Sequence, residues 1–168
     1  MGDKYLAHVF FEEHGLPSPR SWLPAEVPAD ARYPLLVKVR EGFGSRHIYR
    51  AESAEEVAHH LERTPVESFV QELCLGEEIS IDVLCDLEGR CLNAIPRTMI
   101  QSKGGESIKG TSVQDQQLIR HGARVAEAIG IVGPAFAIRS RQMPASLGVH
   151  GPGDSTMAFG LPAITSAT

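Results

Sequence analysis

Residues 33–53 read YPLLVKVREGFGSRHIYRAES: a short apolar segment, a glycine turn and a returning segment. Residues 35–39 are apolar except for Lys38 and read as a strand. Residues 41–46 hold Gly42 and Gly44 and read as a turn, and residues 47–50 return as a second strand. A lysine near the end of a core-facing strand, just before a glycine turn, is unusual. A phosphate ligand explains it: the ammonium meets the anion's charge, and glycines let loop amides approach its oxygens. The competing reading is an edge-strand lysine before an ordinary hairpin. The stretch is not a P-loop, and it fails G-x-G-x-x-G because His47 stands at the third glycine.

Upstream, residues 3–14 read as a helix with an apolar stripe of Tyr5, Leu6, Val9 and Phe10, capped by Asp3 and ended by Gly15. Pro17, Pro19, Pro24 and Pro28 mark an extended connection. Downstream, residues 53–63 read as a helix opened by a Ser53–Glu56 capping box, with Val57 and Leu61 on its inner face. Residues 69–71 form a brief strand. Over residues 78–86, Ile79, Ile81, Val83 and Cys85 alternate with Glu78, Ser80 and Asp82, the pattern of a half-buried strand. A turn at 86–89 returns it as a hairpin over 90–95. Residues 101–111, QSKGGESIKGT, are polar and glycine-rich and read as a mobile loop. Residues 115–129 read as a helix with Leu118, Ile119, Val125, Ala126 and Ile129 on one stripe, closed by Gly130. From residue 135 onward the only charged side chains are Arg139, Arg141 and Asp154, and no helical or strand period is sustained. The expected fold class is α+β.

Composition narrows the function classes. Apolar residues make up 42% of the 168 and charged residues 22%, as in a globular protein. A formal net charge of −5 argues against a sequence-independent nucleic-acid binder. No apolar run reaches the roughly 18 residues that span a bilayer, so no membrane partner is expected. The first residues lack a signal peptide's pattern, and a cytoplasmic setting is the expectation. Cys74, Cys85 and Cys91 form no C-x-x-C pair. Cys85 and Cys91 flank the expected hairpin turn and could lie near each other; reduced thiols at half-buried strand positions are the expectation, and a disulfide or a metal site the alternative. The seven histidines give no metal-ligand spacing.

Two further groups offer chemistry. Glu72, Glu77 and Glu78 could place a carboxylate against a ribose; a solvated acidic turn is the alternative. Arg97, Lys103 and Lys109 surround the glycine-rich loop and could close over phosphates; a solubilising loop is the alternative.

Taken in order, these segments resemble the ATP-grasp superfamily, especially the branch similar to the carbamoyl-phosphate synthase large subunit. GDKYLAHVFFEEHGLPSP looks like the opening helix, YPLLVKVREGFGSRHIYRAES the phosphate-covering unit, VQELCLGEEISIDVLCDLEGR the hinge and following strand, and IPRTMIQSKGGESIKGTSV the large loop and its approach. The resemblance spans about residues 2–135. It implies ATP as ligand, with Lys4 and Lys38 near the phosphates and Gly42, Gly44 and Ser45 in the covering loop. Glu72, Leu73 and Leu75 would form the adenine hinge, and Glu78 would meet the ribose. Arg97 and Lys103 would lie near the transferred phosphate.

It also implies two small α+β lobes with antiparallel sheets. Residues 1–135 would form the nucleotide-binding region, with the smaller lobe at about 31–71. Residues 136–168 would form an atypical tail that leaves the second lobe incomplete. Family members activate a carboxylate as an acyl phosphate for attack by an amine or other nucleophile, with Mg²⁺ on the phosphates. The family's metal-binding Glu-x-Asn-Pro-Arg has no counterpart: no glutamate follows Glu127, and Asn93 is the sole asparagine. A reading-frame slip near residue 135 would explain that loss, and translating the coding DNA in the other frames tests it. Because the resemblance begins at about residue 2, the family domain that usually precedes this region is not expected in this chain. The expectation is therefore an ATP-binding domain with a deficient metal site, completed by a partner chain or a second copy. An active ligase and a remnant that binds nothing are the alternatives.

Overall fold

A computed structural model describes residues 2–42, 47–98, 100–103, 106–132, 136–142 and 157–160, with backbone only for 101–103, 106–108, 136–142 and 157–160. The first sheet is antiparallel and is built from β1 (Ser21–Trp22), β2 (Leu35–Val39), β3 (Ile48–Ala51) and β4 (Ser68–Glu72), in the order β1-β4-β2-β3. Strand side chains alternate between faces, so the sequence LLVKV sorts itself. Leu35, Val37 and Val39 are buried, whereas Leu36 and Lys38 are half-buried. Leu35 and Val37 pack with Ala51 and Val70 of the same sheet and with Val57 of the helix Ala54–Arg63. Ser53 Oγ accepts the Glu56 amide at 3.3 Å, as the capping box requires, but the Glu56 carboxylate takes the amide of Glu52, not that of the cap itself.

The first helix of the chain, α1 (Lys4–Glu13), starts as expected: Asp3 accepts the amides of Tyr5 and Leu6 at 2.8 and 3.1 Å. The helix at Ala54–Arg63 is α2. The proline-marked connection is more structured than its sequence suggests: it contains β1 and a 3-10 turn at Pro24–Glu26.

The second sheet contains the hairpin β5 (Glu77–Cys85) and β6 (Cys91–Thr98). Next in the chain are β7 (Gln101–Lys103) and β8 (Glu106–Lys109), which pair with each other. The expected loop at 101–111 is thus largely a short ladder: polar residues hide a strand whose stability comes from pairing, not from an apolar face. α3 (Gln116–Ile129) follows, capped by Asp115 and closed by Gly130 at φ 72°, a left-handed position that favours glycine. Then β9 (Phe136–Gln142) pairs antiparallel with β5, and β10 (Met157–Gly160) pairs with β9. The sheet order is β10-β9-β5-β6. Strands from the tail therefore do join the second sheet. The sequence FAIRSRQ offers too few apolar residues for its period to show.

One face of the second sheet is the larger core. Ile79, Ile81, Val83 and Cys85 pack against Leu118, Val125 and Ala126 of α3 and against Phe11 and Leu16 from α1 and its exit. Burying one such side chain stabilises the fold by about 1.5–3 kcal/mol. Helix and sheet approach closely at Gly122, where a Cβ would meet Ile81 Cγ2 at 2.7 Å. α1 thus belongs to this core, yet its N-terminus reaches the first sheet: the Lys4 amide donates to Arg40 O at 2.9 Å, and Tyr5 lies 5.9 Å from Phe69, ring centre to ring centre.

Candidate functional site

The register fixes what stands on each face of the first sheet. Lys38 is opposite Phe69 and Leu36 opposite Gln71, while Gln71 is also opposite Ser21. These residues share the face turned away from α2. On it Lys38 Nζ donates to Gln71 Oε1 at 2.6 Å, Gln71 Nε2 donates to Ser21 Oγ at 2.8 Å, and Ser21 Oγ donates to Pro19 O at 3.0 Å. Gln71 and Ser21 are buried. The direction of the relay is determined. The Ser21 proton is used on a carbonyl, so its oxygen accepts from the Gln71 amide nitrogen, and the Gln71 oxygen is left facing Lys38. A charged donor makes the stronger hydrogen bond to that oxygen.

Lys4 acts differently. Its Nζ donates to the carbonyls of Val39 and Arg40 at 3.4 Å each and of Gly42 at 3.0 Å. It therefore ties down the chain where β2 passes into the glycine turn. Burial lowers the Lys4 pKa, and Asp3 and Glu41 oppose that. Asp3 forms an ion pair with Arg40, which also reaches Glu67 at 3.0 Å. Gly42 opens the turn at φ 128°, a conformation that favours glycine. Gly44 and Ser45 lie outside the described residues.

The expected hinge divides. The Glu72 carboxylate takes the Arg20 amide at 3.1 Å and Arg20 Nε at 3.2 Å, and the Glu72 amide donates to Arg20 O at 2.9 Å. Glu72 thus fastens β1 to β4. Leu73 is half-buried and Leu75 exposed, both in the connection to β5. Glu78 is half-buried on the polar side of β5, two and four residues from Ser80 and Asp82 on the same side. Glu77 is exposed.

Arg97 stands opposite Ser80 on β6 and pairs with Asp82. Its Nη2 donates to Asp82 Oδ1 at 3.1 Å, and its Nε is 2.8 Å from Oδ2 but off-line for a hydrogen bond, so that contact is chiefly Coulombic. The backbone of Lys103 is in β7; its side chain lies outside the description, and Lys109 is exposed. Arg139 and Arg141 occupy the register positions opposite Ser80 and Glu78. Among the described residues no group of three His, Cys, Asp or Glu side chains could hold a metal ion. No helix among them is long and apolar enough to cross a membrane.

The structure thus joins Lys38 to the Gln71 relay and sets Lys4 at the entrance of the glycine turn. Sequence reasoning missed Gln71, Ser21 and Asp82. A signal existed for Gln71: it is a polar residue inside a strand that is otherwise buried.

The fold has solved relatives. A D-Ala:D-Ser ligase from Enterococcus faecalis is 17% identical, with a TM-score of 0.66 over 94% of this chain and 50% of that one. An N5-carboxyaminoimidazole ribonucleotide synthetase in complex with ADP is 15% identical, with a TM-score of 0.70 over 94% and 43%. A biotin carboxylase from Campylobacter jejuni is 17% identical, with a TM-score of 0.67 over 95% and 39%. The chain spans half or less of the length of these structures. No curated protein sequence matches it. The sequence profile of the ATP-grasp domain matches residues 1–136. The α+β fold with its antiparallel sheets agrees with that match, and the chain belongs to the ATP-grasp family.

Proposed function

We propose that this chain binds ATP on the Lys38 face of the first sheet, as the nucleotide-holding part of a ligase that couples a carboxylate to an amine or similar nucleophile. The reading is carried by Lys38: a cation in mid-sheet, on the face away from the small core, oriented by a buried amide relay. Lys38 would meet phosphate oxygens, and the turn from Gly42 through Gly44 and Ser45 would cover them. Leu73 and Leu75 would read the adenine edge through backbone groups, with Glu72 bracing that hinge through Arg20. Glu78 would accept the ribose hydroxyls. Lys4 would hold the entrance of the turn and contribute charge to the phosphates.

Arg97 and Lys103 would lie near the transferred phosphate. For Arg97 that role requires sharing or leaving Asp82. Among the described residues the carboxylates do not gather into a Mg²⁺ site, and Asp82 is engaged by Arg97. The carbamoyl-phosphate-synthase-like branch is the relation we favour, on the order of motifs in residues 2–135. A cytoplasmic setting follows the same reading.

A partner chain or a second copy completing the second lobe accords with apolar side chains left outside on its hairpin, where Leu84, Leu92 and Ile95 are all exposed. Equilibrium dialysis of labelled ATP against the chain tests the binding claim. Retention that Lys38→Ala removes supports it; equal retention by a folded Lys38→Ala variant overturns it. Release of ADP from ATP with Mg²⁺ and a pool of amino acids would extend the reading from binding to catalysis.

A further inference from the structure

We propose that Cys85 and Cys91 form a dithiol site that a hydroperoxide oxidises to a cross-strand disulfide. All three cysteines are free thiols. Cys85 ends β5 and Cys91 opens β6, and the two are register partners. Both side chains border the larger core, Cys85 buried in it and Cys91 packed half-buried against it. Directly opposed residues in an antiparallel pair have Cα atoms about 4.5–5.5 Å apart, inside the roughly 4.4–6.8 Å that a disulfide spans.

An irregularity in the hairpin produces this pairing. Leu84 is opposite Asn93, yet the next residue, Cys85, is opposite Cys91, so Leu92 is extra. With strict alternation Leu92 would share the core side with Ala94. The bulge instead turns Cys91 toward Cys85 and leaves Leu92 64% exposed. Throwing a leucine into water to bring a second thiol inward has no packing advantage, and bulges characteristically re-aim one side chain. Cys91 is held there: its amide donates to Glu127 Oε1 of α3 at 3.1 Å, and its Sγ contacts Asn93 O at 3.3 Å.

Cys91, half-buried where Cys85 is buried, is the more accessible residue of the two. As a thiolate it attacks one peroxide oxygen and the O–O bond breaks. Cys91 becomes a sulfenic acid and, with hydrogen peroxide, the departing hydroxide takes up the proton the Cys91 thiol gave up and leaves as one water. The Cys85 sulfur then attacks the Cys91 sulfur, the S–O bond breaks, and the departing hydroxide takes the Cys85 proton as a second water. Two electrons pass from the thiols to the peroxide. Burial, with Cys91, Glu127 and Asp86 nearby, pushes the Cys85 thiol up, so closure of the disulfide quickens as pH rises past the ordinary thiol range.

The test treats the full chain with a small excess of hydrogen peroxide, blocks remaining thiols with N-ethylmaleimide and digests with trypsin. Cleavage after Arg90 separates the two cysteines, so a disulfide leaves residues 64–90 joined to residues 91–97. The expected result is that joined species, a mass lower by two hydrogens, and loss of two of the three free thiols, all reversed by a dithiol reductant. Cys74→Ser should behave in the same way. Cys91→Ser, at a half-buried position, and Cys85→Ala, should both lose the link. Three surviving thiols, a sulfinic acid at Cys91 beside a free Cys85, or a link through Cys74 would each overturn the proposal.

Discussion

The two faces of the first sheet obey opposite rules although the same strands build both. Leu35 and Val37 enter an apolar core with Val70 and Val57 of α2. Lys38, one residue out of step, enters a relay of amide, hydroxyl and carbonyl with Gln71 and Ser21. On the proposed reading, a five-residue strand serves fold and ligand together. Alternation puts the buried apolar residues at odd-numbered positions and leaves the even-numbered ones for the proposed binding.

Substitutions can break or sharpen that separation. The largest expected effect is on the dry face. Leu35→Ala should lower unfolding stability by about 2–5 kcal/mol in urea titration, as for a fully buried leucine. A loss near zero would mean that this face is not the core of the lobe.

Gln71→Leu keeps the approximate shape but removes the acceptor for Lys38 and the donor for Ser21. It should cost about 1–3 kcal/mol in the same titration. It should also weaken ATP binding, which Leu35→Ala should not. Restored ATP affinity in Gln71→Glu, which can still accept from Lys38, would separate an orienting role from mere packing.

The smallest effect is at the margin between the faces, where Asp3 caps α1 and pairs with Arg40. Burial alone would raise the Asp3 pKa, but Arg40 and the Leu6 and Tyr5 amides outweigh it and the pKa is lowered. A lowered folded pKa gives stability that is present above the unfolded value, roughly 3.9, and is lost as pH falls through the folded value. Asp3→Asn keeps the cap and removes the charge. It should cost about 1 kcal/mol at neutral pH, and the difference from the unsubstituted chain should shrink below about pH 4 in melts across pH. A difference that stays constant with pH would remove the ionic contribution.

Much of this was legible in sequence because the relevant signals are local. Caps at Asp3 and Ser53 and the closing Gly130 sit where residue chemistry put them. The alternation of Ile79, Ile81 and Val83 against Glu78, Ser80 and Asp82 exposed β5 and its polar side. What escaped depends on partners far along the chain. β9 is a strand because β5 offers it an edge, and β10 because β9 does, not because their own residues alternate. β7 and β8 are polar and rely on each other. Glu72 reads as a free carboxylate until Arg20, 52 residues away, is placed beside it. Lys38 was conspicuous alone, but its relay needed the register of three strands. The bulge that opposes Cys91 to Cys85 is likewise invisible in a pattern that counts in twos.

The central claim is that Lys38 serves the nucleotide and Leu35 the fold. Calorimetric titration of the unsubstituted chain, Lys38→Ala and Leu35→Ala with ATP, beside their melting curves, tests it most directly. The account predicts that Lys38→Ala weakens ATP binding roughly 10- to 100-fold, the equivalent of losing about 1.5–3 kcal/mol from a charged hydrogen bond, while melting stays closer to the original than in Leu35→Ala. Leu35→Ala should melt early and, where folded, bind ATP normally. Unchanged ATP affinity in Lys38→Ala, or binding and melting lost in step in both variants, would contradict it.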